Sequence, residues 1–362
     1  MADADVLVAG GGPVGLAAAI EARHAGLSVI VLEPRTGPID KACGEGLMPG
    51  AVRALARLGV EPEGRPFAGI RYAGPTCSVA HRFTLGPGLG VRRTALHDAL
   101  AKRAAEVGVV VELGRVTQVK SDHSGVTVAA ASDRTLPGAA GPLLRAQWLL
   151  ACDGLHSDVR RTLGLARSSQ GVRRYGLRQH FRVEPWSEFV EVHWTRHAEI
   201  YVTPVAEDEV GVAVLGGRGL DYARTIAEAP PVRERLAGAE QASALRGAGP
   251  LLQRTGRRTA GRILLVGDAA GYVDALTGEG IQLGLAQAGA AVRAIVANRP
   301  DQYEREWTGV TRDYRLLTSM LVAAATRPAL RHHVVPLAVR LPRVYGAIVD
   351  RLAGAGPLHH RA

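Results

Sequence analysis

Runs of apolar residues, and the way polar positions interrupt them, divide this chain into elements before any chemistry is considered. Val6-Leu7-Val8-Ala9 is an unbroken apolar run of strand length, and 16–24 is a helical run that follows one glycine-rich turn. Continuous apolar runs of this length predict strands covered on both faces. A second such strand is predicted over 28–32, a helix over 51–58 with Gly59 as its C′ residue, and an amphipathic helix over 94–107 stopped by Gly108. The weak alternation of 67–89 predicts strands of a second sheet, 109–113 a buried strand, 115–119 and 125–130 a meander, and 147–152 a further buried strand before a helix at 159–163. Residues 175–184, 189–194, 199–205 and 210–215 are rich in β-branched and aromatic residues and have short turns between them, which predicts an antiparallel sheet. The polar stretch 223–245 reads as a helical cover. A buried strand returns at 262–266 and a long apolar helix at 282–297, and 302–352 reads as two or three helices broken at Pro328, Pro336 and Pro342.

Composition narrows the class. A chain of 362 residues with 47% apolar and 22% charged content is an ordinary globular protein. The net charge of +10 does not mark a nucleic-acid surface, because Lys41, Lys102 and Lys120 are the only lysines and the arginines are scattered. A mildly positive surface instead attracts anionic dinucleotides. Cys43, Cys77 and Cys152 are odd in number and lack metal-ligand spacing, so neither disulfides nor a metal are expected and a reducing, cytoplasmic location is. No signal peptide is expected, because the first strand begins by Asp5, and the most apolar late segment, 316–325, is too short to span a bilayer. A soluble protein follows, with peripheral membrane contact if its substrate is lipophilic.

The candidate chemistry gathers at strand ends. Gly10, Gly12 and Gly15, with Gly11, Pro13 and Val14 between them, form G-x-G-x-x-G between the first strand and the first helix. Gly10 allows the tight turn, Gly12 lets a pyrophosphate approach the backbone, and Gly15 lets helix and strand pack closely. Glu33, followed by Pro34 and Arg35, ends the second strand about 20 residues later, where a carboxylate accepts ribose hydroxyls. The loop 36–49 carries Lys41, Cys43 and Gly44 and reads as a segment lying against a cofactor, with Lys41 near its phosphates. Arg93 starts a helix. Asp153-Gly154 follows the strand 147–152, and Gly267-Asp268 follows 262–266, with Gly278, Glu279, Gly280 and Ile281 leading into the apolar helix. Acids and helix N-termini at the carboxyl ends of parallel strands lie where open α/β sheets bind ligands.

On these three motifs, spread in order over most of the chain, the sequence resembles FAD-dependent oxidoreductases of the p-hydroxybenzoate hydroxylase and geranylgeranyl reductase superfamily. The resemblance implies an α/β fold: a discontinuous Rossmann-type FAD-binding domain of the GR2 type (1–66, 90–165, 255–300), an interleaved antiparallel β-sheet substrate domain (67–89, 170–254) and C-terminal helices (301–362). It implies non-covalent FAD, with Gly10, Gly12, Gly15 and Glu33 on the ADP half and Arg93, in Arg-x-x-Leu with Leu96, at the pyrophosphate. Val116 falls near the adenine, Asp153 supports FAD and a pyridine nucleotide, Asp268 binds the ribityl chain, and Gly278 to Gly280 form the flavin-edge loop. The family's proline before that loop is Ala275 here.

Departures from pattern choose among the family's chemistries. Halogenases carry W-x-W-x-I-P where this chain has Glu199-Ile200-Tyr201-Val202-Thr203-Pro204, so halogenation is not expected. Geranylgeranyl reductases carry Y-x-W-x-F-P-K there; this chain lacks it but keeps the Cys43-Gly44 loop. The leading expectation is a class A monooxygenase that uses NAD(P)H and O2 to hydroxylate or epoxidise a hydrophobic aromatic or polyketide-like molecule through a C4a-hydroperoxyflavin. The alternative is an FAD-dependent C=C reductase acting on a polyprenyl or polyene substrate, with Cys43 catalytic. Strand alternation groups Glu191 with His193 on one face, and these two, His180 and Tyr201 are the candidate catalytic side chains of the sheet.

Overall fold

The computed structural model describes residues 2–131, 143–168 and 171–354; parts of the expected domain segments 1–66, 90–165, 170–254 and 301–362 lie outside the described residues. Ala4–Ala9 pairs in parallel with Val29–Glu33 on one side and with Leu143–Ala151 on the other. The full order is Thr259–Ala260, Ile263–Leu265, Leu143–Ala151, Ala4–Ala9, Val29–Glu33 and Val110–Leu113, with Arg115–Ser121 and Val126–Ala131 added as a meander. The central strands are unbroken apolar runs because both faces are covered. Helix Pro13–His24 packs on one face against helix Gly280–Val296, where Gly284 lies against Val14 with no room for a Cβ.

The second sheet runs Glu240–Gln241, Tyr175–Arg182, Glu209–Gly216, Ala198–Ala206, Phe189–Trp194, Gly69–Ala73 and Ser78–Arg82. It is antiparallel except where Phe189–Trp194 lies parallel to Gly69–Ala73. Among the described residues four helices follow Gly280–Val296: Pro300–Ala325, Pro328–Arg331, Val334–Arg340 and Pro342–Leu352. The architecture is therefore the expected α/β fold with an interleaved sheet and C-terminal helices.

Three local expectations need correction. Val110–Leu113 is a strand but not a buried one: Val110, Val111 and Leu113 are each more than half exposed, since this strand ends the sheet and pairs only with Val29–Glu33. The stretch 223–245 is not one helical cover. Pro230 starts a second short helix, so Tyr222–Ala227 and Pro230–Arg235 are separate. Glu240–Gln241 and Arg246–Ala248 then satisfy the open edge of Tyr175–Arg182. Pro336 does not break a helix; it sits in the first turn of Val334–Arg340, where a missing N–H costs no bond.

A buried charge cluster fastens the C-terminal helices to the second sheet. Glu199 is fully buried and pairs with both Arg174 and Arg331. Arg331 also donates from Nε to the Thr195 carbonyl at 2.7 Å and from Nη1 to the Ala325 carbonyl at 2.7 Å. Removing the shared anion leaves the buried Arg331 guanidinium without a carboxylate and Arg174 with Asp274 alone, at 3.6 Å. Glu199→Ala is therefore expected to lower stability by about 3–5 kcal/mol in urea unfolding, and a change below 1 kcal/mol would contradict this role.

Candidate functional site

The carboxyl ends of the parallel strands and the inner face of the second sheet enclose one cavity of about 640 Å³. Its floor is the glycine turn. Gly10 has φ +100, and a Cβ there would lie 2.7 Å from the Cys152 carbonyl oxygen. A Cβ on Gly15 would lie 1.9 Å from the Gly10 carbonyl oxygen, so no other residue fits. Gly12 differs: a Cβ there would meet only Arg93 Nη2, at 3.9 Å. The protein itself leaves that position open towards the cavity, beside the N-terminus of helix Pro13–His24, whose free N–H groups favour an anion.

Most sequence-derived cofactor residues line this one cavity: Gly10, Gly12, Pro13, Val14, Glu33, Pro34, Arg35, Lys41, Cys43, Gly44, Arg93, Val116, Asp153, Gly154, Asp268, Gly278, Gly280 and Ile281. Four are not among the lining residues, and each has another job or setting. The Gly11 N–H donates to Glu33 Oε2 at 2.8 Å and so orients that carboxylate. Gly15 packs on the Gly10 carbonyl. Gly267, at φ +66, packs against Val14 and donates to Gln287 Oε1 at 2.8 Å. Glu279 is buried at the start of helix Gly280–Val296, and burial raises its carboxyl well above the ordinary range.

The cavity wall also offers unpartnered polar atoms of the kind FAD needs. Asp153 Oδ1, Arg93 Nε and Arg115 Nε are buried polar atoms without protein partners, and all three residues line the cavity. The other Asp153 oxygen, Oδ2, accepts from the Val159 N–H at 3.0 Å, while burial raises the carboxyl above its usual range. The Lys41 ammonium lies 3.5 Å from where a Gly154 Cβ would stand, which brings a cation to the same wall. A ligand with phosphates and several hydroxyls suits this set of donors and acceptors.

Of the five catalytic candidates, Cys43 and Tyr201 line the cavity. The buried Tyr201 hydroxyl donates to the Leu276 carbonyl at 2.8 Å, which ties the sheet to the turn that leads into helix Gly280–Val296. Glu191 and His193 do share a face, 3.0 Å apart, but it is the face turned away: Val190 and Val192 line the cavity instead. Glu191 bonds Trp186 Nε1 at 3.2 Å and Arg71 Nη1 at 3.4 Å. His180 does not line the cavity either, yet it touches a residue that does.

That residue is Glu45, which the sequence reading did not single out. It is buried, lines the cavity and holds φ +60, a left-handed backbone rare for a residue with a Cβ. Glu45 Oε1 accepts from the Arg93 N–H at 2.8 Å, and Oε2 lies 2.6 Å from His180 Nε2. His180 Nδ1 lies 2.7 Å from Ser243 Oγ and 3.1 Å from Arg178 Nη1. A guanidinium only donates, so Nδ1 is the acceptor and Nε2 carries the proton towards Glu45. Arg178, almost wholly buried and lining the cavity, also pairs with Asp40. Arg178 and His180 occur two apart in a strand run, which was a readable sign of one polar face; the turn that brings Glu45 to them was not.

Two measurements follow from this geometry. Gly12→Ala is expected to fold with an almost unchanged apo-protein melting temperature yet lose FAD absorbance after gel filtration, whereas Gly10→Ala should lower both. Asp274 concerns pH: burial, opposed by Arg174, raises its carboxyl from 3.8 to about 6. A raised acid contributes stability that is complete below pH 3.8 and lost as pH climbs through about 6. Chemical unfolding across that window should show a decline in the wild type that Asp274→Asn lacks.

Comparison with known proteins agrees with the cavity. The FAD binding domain family matches residues 3–244. A menaquinone reductase of Mycolicibacterium smegmatis is 29% identical over 347 residues, which is 86% of this chain and 81% of that protein. A rifampicin monooxygenase of Streptomyces venezuelae is 33% identical over 174 residues, covering 45% of this chain and 34% of its own length. Among solved structures, a triple mutant of the flavin-dependent brominase Bmp2 superposes with a TM-score of 0.81 over 97% of this chain and 94% of its own, at 19% identity, a likeness of fold alone. With the family matched over most of its length and the cavity built for the cofactor, the chain belongs to the FAD binding domain family and is an FAD-dependent oxidoreductase.

Proposed function

We propose that this enzyme is a monooxygenase that uses a nicotinamide reductant and O2 to oxygenate a hydrophobic aromatic or polyketide-like molecule. The observation that carries the reading is the strand Ala198–Ala206. It presents Tyr201 and Thr203 to the cavity in place of the aromatic run of the polyprenyl reductases, leaving room for a ring system. The name of the rifampicin monooxygenase relative supports it. The bound flavin supplies hydride acceptance and oxygen activation. The protein's part is placement. Gly12 and the helix N-terminus hold the pyrophosphate, Glu33 the ribose, Arg93 and Lys41 the phosphate charge, and Asp153 and Asp268 the remaining hydroxyls. Leu155, Leu251 and Leu276 keep water from the reacting centre.

Proton transfer falls to Glu45. With Glu191 and His193 turned away, Glu45 in the cavity wall and its partner His180 behind it form the acid–base pair the second sheet offers. Glu45→Gln keeps the backbone contact to Arg93, and is expected to retain FAD while lowering oxygenation about 10²-fold or more.

C=C reduction is the second reading, favoured by the menaquinone reductase relative that spans most of the chain and by Cys43 in the cavity wall. Rapid mixing of photoreduced protein with aerated buffer, with and without a phenolic or polyketide substrate, separates the two. Oxygenation predicts a substrate-dependent, oxygen-dependent transient and a product heavier by one oxygen atom. Anaerobic oxidation of the reduced protein by a polyene, abolished in Cys43→Ala, would overturn it in favour of reduction.

A further inference from the structure

We propose that helix Pro342–Leu352 and the elbow before it dock on the surface of an anionic lipid bilayer, so that a lipophilic substrate passes from the bilayer into the cavity. Sixteen large apolar side chains are exposed among the described residues, and eight of them fall between Leu316 and Ile348. Their concentration in one stretch distinguishes them from the scattered apolar surface of any soluble protein. At the elbow, Val339, Arg340, Leu341, Pro342, Arg343 and Val344 are all exposed in succession. On the neighbouring helix Pro300–Ala325, Leu317 meets Val344 and Ile348 across an apolar groove.

Charge identifies the partner. Residues 310–354 hold seven arginines and two aspartates. Asp313 pairs with Arg312 and Arg351 of the same stretch, and Asp350 bonds His81 at 2.9 Å, so neither offsets Arg340 or Arg343. Arg340 and Arg343 make no ion pair among the described residues and flank Leu341. Exposed leucine and valine beside unneutralised arginine suit a bilayer interface, where the apolar groups enter the acyl boundary and the cations meet anionic headgroups. No helix among the described residues is long and apolar enough to cross a membrane, so the segment lies on the surface.

Position links the surface to the site. The helix that exposes Val344 and Ile348 turns Val349 and Leu352 inward to line the cavity. One helix thus separates the apolar surface from the substrate space. The inference shares with the proposed function only a lipophilic substrate, and vesicle binding is measured without turnover, so either can fail alone.

The test is co-sedimentation of the full FAD-loaded chain with phosphatidylcholine–phosphatidylglycerol vesicles, against phosphatidylcholine alone. Binding to the anionic vesicles, weakened by salt, is expected. Leu341→Asp with Val344→Asp should abolish it while FAD absorbance is retained. Arg340→Gln with Arg343→Gln, which alters charge on exposed positions alone, should weaken it roughly 30-fold and keeps the test valid if the aspartate pair fails to fold. Three results would overturn the proposal: a chain that stays in the supernatant with anionic vesicles at low salt, variants that all bind as the wild type does, or a lipid-free dimer that the same variants split, which would make this face a self-interface.

Discussion

The close contact between the turn Gly10–Gly15 and the end of strand Leu143–Ala151 sets the geometry on which the rest of this protein depends. Gly15 lies on the Gly10 carbonyl, and Gly10 on the Cys152 carbonyl, at distances that exclude any side chain. These two contacts bring the carboxyl ends of Ala4–Ala9, Val29–Glu33 and Leu143–Ala151 to one place. They also aim the N-terminus of helix Pro13–His24 into the space above. Glu33, Asp153 and Asp268 then arrive there because Glu33 ends, and the other two follow, a strand of the same sheet. A parallel sheet sends all its strand ends in one direction, so one tight turn locates a whole site.

The second sheet completes that site and must be held against it. Tyr201 ties it to the turn at Leu276, Thr203 donates to the Gly44 carbonyl at 2.8 Å, and His180 meets Glu45. All three bonds connect the sheet to cofactor-side loops, so the sheet governs the loop 36–49 as much as it roofs the cavity. At the start of its internal strand Ala198–Ala206, Glu199 with Arg174 and Arg331 does the same for the C-terminal helices. Buried charges of this kind add little net stability but penalise any arrangement that separates them. They define where the layers sit.

This division of labour bears on chemistry. The strand-end glycines and acids that line the cavity come from the parallel sheet and its loops, whereas much of the apolar lining comes from the second sheet, with Val349 and Leu352 added by helix Pro342–Leu352. A change of substrate, or of oxygenation for reduction, therefore needs few changes in the first group. Relatives named as reductases and as monooxygenases both match this chain, as that separation allows.

Local physics was legible in the sequence. The glycine turn, the acid closing each strand, the helix ends at Gly59 and Gly108 and the pairing of Glu191 with His193 on one face all follow from backbone rules acting over a few residues. What depends on partners distant in the chain was not. Period-two alternation groups residues by face but does not say which face meets the cavity, and so Glu191 and His193 were grouped correctly yet point outward. The apolar run of Val110–Leu113 reads as buried, but burial belongs to the sheet's order, and this strand ends it. Glu45 carries no sequence mark of its left-handed backbone, and its role depends on His180, 135 positions away. The sequence alone determined the cofactor class and the glycine turn and strand-end acids that gather at one cavity; only the tertiary structure decided which other side chains line that cavity, because that choice is made by packing between layers and not within any one element.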